Sequence, residues 1–142
     1  MATLLALALI SAACRKPTVT PPPTAKQNPP ASPAANSEGY TTVTVSQLAG
    51  MLPEKNFTMI NVHTPYEGEI PQTDFNIPFD RIAENLDKIP AKDAPVLIYC
   101  RSGRMSTEAT LTLTALGYNH VMHLEGGFLA WEAAGNEMVK RP

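Results

Sequence analysis

Four consecutive apolar residues, Val96-Leu97-Ile98-Tyr99, follow Pro95 and run directly into Cys100. A strand with one wetted face alternates apolar and polar side chains. An unbroken apolar run behind a turn residue instead belongs to a strand covered on both faces, as in a parallel sheet. The surrounding sequence supplies the partners such a strand needs. Tyr40 to Val45 alternates and is β-rich, Ser46 is placed to cap a short helix through Leu52, and Phe57 to Val62 is another apolar strand. Phe75 to Ile77 predicts a very short strand stopped by Pro78, and Asp80 is placed to cap a helix with Ile82, Leu86 and Ile89 on one face. Thr107 to Leu116 predicts a helix closed by Gly117, Val121 to Leu124 a further strand, and Phe128 to Ala134 a last helix stopped by Gly135. Strands alternating with helices predict an α/β domain: one parallel sheet flanked by helices on both sides.

The 142 residues have room for one such domain. The net charge of −2 is close to neutral and no basic stretch is long enough to grip a nucleic-acid backbone, so no nucleic-acid partner is expected. Proline marks where the globular part begins. Residues 15 to 39 carry Pro17, Pro21, Pro22, Pro23, Pro29, Pro30 and Pro33 among Thr, Ala, Asn and Ser, with almost no side chain large enough to pack. Such a segment does not offset the entropy of ordering, and it predicts an extended, partly polyproline-II spacer. Before it, Ala2 to Ala13 form an apolar run that is too short to span a bilayer, which takes about 20 residues. Its length and the small residues at its end fit the hydrophobic region of a secretory signal. The sequence Ser11-Ala12-Ala13-Cys14 resembles the lipobox of bacterial lipoproteins, although Ser11 stands where that family usually has an aliphatic. The resemblance implies cleavage before Cys14, a lipid on its thiol, and a place in the bacterial cell envelope facing the periplasm or the exterior. The resulting expectation is a signal at residues 1–13, an anchored linker at 14–39 and a folded domain at 40–142.

Chemistry concentrates where the buried strand ends. Cys100 is followed by Arg101, Ser102, Gly103, Arg104, Met105 and Ser106, and then by the predicted helix. Sites in open α/β sheets collect at the carboxyl ends of strands. A loop turning into a helix aims successive backbone N–H groups at one point, which suits an anion and favours a thiolate over a thiol. Arg101 and Arg104 add positive charge nearby.

These residues resemble the rhodanese superfamily over essentially Tyr40 to Gly135. Cys100-Arg101-Ser102-Gly103-Arg104-Met105-Ser106 looks like its active-site loop, and Leu124-Glu125-Gly126-Gly127-Phe128-Leu129-Ala130-Trp131 looks like its C-terminal signature. Ile60-Asn61-Val62-His63-Thr64-Pro65, with Ile70-Pro71 and Asn76-Ile77-Pro78 after it, is similar to its first signature. The resemblance implies sulfur transfer. Cys100 would take the outer sulfur of thiosulfate or of a protein persulfide, and a thiophilic acceptor would then remove it. The loop N–H groups would stabilise the charged sulfur, and Arg101 or Arg104 would help bind an anionic donor. No metal or organic cofactor is implied.

The chain departs from the family at Asn61-Val62-His63, where an Asp-Val-Arg triplet is common. His63 is therefore either a local replacement that approaches the Cys100 loop or a polar residue at a strand end. His120 and His123 read as structural, and Trp131 as core packing. Phosphatase or arsenate reductase chemistry would need an arginine six positions after the cysteine, where this chain has Ser106. A non-catalytic binding, sulfur-carrying or redox-sensing module stays open as the alternative to catalysis. The domain has no second cysteine to resolve a disulfide.

Overall fold

The computed structural model describes residues 36–141; the apolar run, Cys14 and the proline-rich segment through residue 35 lie outside the described residues. The elements are β1 (Thr41–Val43), α1 (Val45–Met51), β2 (Thr58–Asn61), β3 (Phe75–Asn76), β4 (Val96–Tyr99), α2 (Arg104–Ala115), β5 (Val121–Leu124) and α3 (Gly127–Ala133). The strands form one sheet in the order β1-β5-β4-β2-β3, and every neighbouring pair is parallel.

β4 lies at the centre, and its four residues are all 0% exposed, as the unbroken apolar run predicts. Successive strand side chains point to opposite faces. Val96, Ile98 and Cys100 accordingly pack with Ala109 and Leu113 of α2 and with Ile82 and Ile89. Leu97 and Tyr99 pack on the other face with Leu48 of α1 and with Phe128 and Trp131 of α3. Each such aliphatic side chain contributes about 1.5–3 kcal/mol by leaving water. The helices thus cover both faces, as the alternation of elements predicts. No helix among the described residues is long and apolar enough to cross a membrane.

Three local expectations are corrected. The cap of α1 is Thr44 rather than Ser46. Thr44 has left the strand with an extended backbone; its Oγ1 accepts from the Gln47 N–H, and Gln47 Oε1 accepts from the Thr44 N–H at 2.8 Å. Thr-Val-Ser-Gln is a complete capping box, which satisfies two otherwise orphaned donors. Asp80 caps nothing. The expected helix is two 3-10 turns, Phe79–Glu84 and Leu86–Lys88, separated at Asn85 where φ is −121°. Ile82 and Ile89 are buried all the same and Leu86 packs beside them, so the apolar spacing reported the buried face but not the helix type. Finally, α2 begins at Arg104 rather than Thr107.

The described chain starts with a turn at Asn36–Gly39. Asn36 Oδ1 accepts from the backbone N–H of Glu38 and Tyr40, and Gly39 lies against Thr114 near the C-terminal end of α2. At the other end Val139 pairs with Glu69 in an antiparallel bridge, and Arg141 Nε donates to Glu69 Oε1 at 2.6 Å.

Candidate active site

Cys100 to Gly103 connect the carboxyl end of β4 to the N-terminus of α2. Gly103 makes the turn possible: its φ of +112° lies where side chains are strained, and α2 starts at the next residue. Arg104, Met105 and Ser106, expected in the loop, therefore form the first turn of the helix. No side chain caps this end, so the first-turn N–H groups have no intrahelical acceptor and the positive end of the helix faces the thiol loop.

Cys100 Sγ lies at the floor of this turn, and the residue is 1% exposed. The Gly103 N–H donates to Sγ at 3.1 Å and the Ser106 hydroxyl at 3.3 Å. Ser106 is itself 0% exposed and also lies 2.9 Å from the Gly103 carbonyl oxygen. Two hydrogen-bond donors thus converge on a buried sulfur, an arrangement that suits a negatively charged one.

The other expected site residues differ widely in exposure. Ser102 is exposed. Arg101 is half exposed, with Nε 3.2 Å from the Glu67 carboxylate. Arg104 is exposed, paired with Glu108 at 2.8 Å and stacked 5.8 Å from the Phe79 ring. Met105 packs on the α2 side of the core. His63 is buried beyond the end of β2, edge-on to Phe128 with ring centroids 5.4 Å apart. Its Nε2 lies 3.3 Å from Glu67, within ion-pair range, but neither ring nitrogen makes a hydrogen bond. His63 and Arg101 thus both approach the Glu67 carboxylate, and His63 makes no hydrogen bond to the sulfur.

Two further residues belong to this region. His123, on β5, presents Nε2 3.0 Å from Ser106 Oγ, with its ring edge-on to Tyr40. Burial lowers the pKa of this imidazole below 6.5, against opposing contributions from the Gly103 carbonyl and the Glu125 charge. The sequence did hold a signal: His123 follows Val121 by two positions, so a polar side chain falls on the strand face that packs against α2. Gly127 is the second. It has φ +59° and packs so tightly on the loop that a Cβ there would overlap the Cys100 carbonyl oxygen and approach Arg101 C within 2.7 Å. From the same turn, the N–H groups of Phe128 and Leu129 donate to the carbonyls of Cys100 and Arg101, each at 3.0 Å. Gly127 with the two N–H groups that follow it is thus a backbone clamp on the loop.

Comparison with known proteins agrees with this geometry. A "Sulfurtransferase" from Allochromatium vinosum is 38% identical over 84 residues, covering 57% of this chain and 77% of that protein. "Thiosulfate sulfurtransferase PspE" of Escherichia coli is 36% identical over 70 residues, covering 47% of this chain and 67% of that protein. Among solved structures, a rhodanese-like domain protein from Staphylococcus aureus superposes with a TM-score of 0.60 at 31% identity. The match covers 70% of this chain and 98% of that one. Residues 44–134 match the rhodanese-like domain family, and they span everything from the cap of α1 through the loop and its clamp to the end of α3. That match covers well over half of the chain, and with the fold shared with a rhodanese-like domain the chain belongs to the rhodanese-like family.

Proposed function

We propose that this domain is a sulfurtransferase that carries sulfane sulfur on Cys100. The observation that carries the reading is the sulfur itself, buried between the Gly103 N–H and the Ser106 hydroxyl at the open end of α2. The named sulfurtransferases among its relatives support the same class of chemistry. In the first step the Cys100 thiolate attacks the outer sulfur of thiosulfate. A new S–S bond forms to Cys100, the original S–S bond breaks, and its electron pair leaves with sulfite. In the second, a nucleophile such as cyanide takes the outer sulfur and the Cys100 thiolate is restored. Charge balances in both steps and no external oxidant enters. The two donors on Sγ aim at the attacking sulfur, and the N–H groups of the first helical turn, which lack intrahelical acceptors, are available to the outer sulfur of the persulfide.

The burial of Cys100 supports a small donor over a bulky protein thiol, and it counts against the reading of an exposed redox sensor. The chain also carries the lipobox-like Ser11-Ala12-Ala13-Cys14, and the same proposal places the domain at the bacterial envelope through a lipid on Cys14.

Thiosulfate-to-cyanide transfer and intact mass after thiosulfate treatment test the chemistry. Thiocyanate and one added sulfur atom are expected from the wild type and neither from Cys100→Ser. A folded wild type that gives neither product with any sulfane donor overturns the reading in favour of a binding module. Fatty-acid labelling tests the anchor: Cys14→Ala is expected to lose the label, and equal labelling of both proteins overturns the assignment.

A further inference from the structure

Resting on that reading of Cys100, we infer that His123 is a positioning residue which acts on the nucleophile through Ser106. The hydrogen bonds around Ser106 define the direction of the effect. A serine hydroxyl has one proton to give, and three acceptors lie within reach: Cys100 Sγ at 3.3 Å, the Gly103 carbonyl at 2.9 Å and His123 Nε2 at 3.0 Å. The Gly103 carbonyl is already occupied, because it accepts the Thr107 N–H at 2.9 Å and the Thr107 hydroxyl at 3.0 Å. His123 decides between the remaining two. If Nε2 is bare, it accepts the Ser106 proton and draws it away from the sulfur. If Nε2 carries the proton, it donates to Ser106 Oγ and the Ser106 proton is left for Sγ.

The second arrangement is the one that a thiolate selects. It forms an unbroken chain, Nε2–H to Oγ and Oγ–H to Sγ, which ends on the negative charge. The imidazole is held for this role by its edge contact with Tyr40 and by burial, which keeps it neutral at neutral pH. His123 Nε2 also lies 3.4 Å from the Gly103 carbonyl and 3.5 Å from Thr107 Oγ1, both of which favour the protonated nitrogen or tolerate it. The relay thus joins a strand residue, a residue of the first helical turn and the sulfur.

The test is a double-mutant cycle read by iodoacetamide alkylation of Cys100, in full-length chains carrying Cys14→Ser so that one thiol remains. At pH near 7, Ser106→Ala and His123→Ala are each expected to slow alkylation by about five-fold, the size of one ordinary hydrogen bond to the thiolate. The double variant is expected to be no slower than Ser106→Ala, because His123 acts only through that hydroxyl. His123→Gln, which keeps a donor without a titrating ring, is expected to recover most of the rate, and at strongly alkaline pH all variants are expected to converge. His123→Leu serves in place of the alanine variant if the latter does not fold. Additive losses, a wild-type rate in His123→Ala, or a deficit that persists at alkaline pH overturns the inference. Alkylation needs no sulfur donor. A coupled cycle in a protein that makes no thiocyanate would therefore refute the transferase reading and leave the relay standing.

Discussion

The backbone N–H of Phe128 donates to the carbonyl oxygen of Cys100 at 3.0 Å. A helix that follows Cys100 by many residues therefore holds that cysteine's own peptide unit, and the loop cannot shift without breaking into α3. Gly127 makes the approach possible, since any Cβ there would overlap the Cys100 carbonyl. Gly127→Ala is expected to lower stability by about 2 kcal/mol or more and to abolish sulfur transfer, read by thermal melting and thiocyanate release. Gly50→Ala is the matched control. A Cβ at Gly50 meets nothing within 4 Å, and in the helix α1 it is expected to stabilise by about 0.5–1 kcal/mol.

Tyr99 offers a second test, on the face of the sheet opposite Cys100. Its phenol is fully buried, accepts from the Ile70 N–H at 3.0 Å and meets Thr73 Oγ1 at 2.7 Å, and burial pushes its ionisation far above the ordinary phenol value. Tyr99→Phe keeps the ring but leaves the Ile70 N–H unsatisfied, for an expected cost of about 1–3 kcal/mol in urea unfolding. Cys100 persulfide formation is expected to persist, because the Tyr99 side chain points to the opposite face of the sheet from Cys100.

Stability should fall on the acid side for a reason that can be assigned to His123. Its folded pKa lies below 6.5, so the unfolded chain takes up the proton first as pH drops. The contribution is complete above 6.5 and is lost as pH falls toward the folded value. Urea midpoints measured from about pH 7 to about pH 5 are expected to decline less steeply in His123→Asn than in the wild type.

The Arg101–Glu67 pair should govern donor binding more than folding. Arg101 and Glu67 form a half-exposed pair, worth at most about 1 kcal/mol of stability. Arg101→Ala is expected to raise KM for thiosulfate, and Glu67→Gln, which frees Arg101 for an anion, to lower it. Steady-state kinetics at two salt concentrations check both, and the two KM values should draw together as salt rises.

The fold was legible wherever a local pattern reports burial directly. Val96 to Tyr99 is an apolar run of the kind found in a covered strand, and the sequence around Cys100 placed the thiol at its end. What escaped depended on geometry between distant segments. Ser46 and Thr44 are both competent caps, and only the point where β1 releases the backbone decides for Thr44. The segment holding Ile82, Leu86 and Ile89 has helical spacing, yet the chain is interrupted at Asn85 and settles into tighter turns. His123 is far from Cys100 in the chain, and it meets Ser106 only because β5 lies next to β4 and α2 crosses that face.

Because every strand runs the same way, the sheet has a polarity that the whole molecule inherits. The thiol occupies the N-terminal end of α2, whereas the turn at Asn36–Gly39 rests beside Thr114, about 15 Å further along that helix's axis. Whatever is joined ahead of Asn36, whether a surface, another domain or a purification handle, therefore meets the folded unit at its rear. The Cys100 sulfur is buried at the opposite end of that helix, so the point of attachment and the thiol loop lie at opposite poles of the sheet.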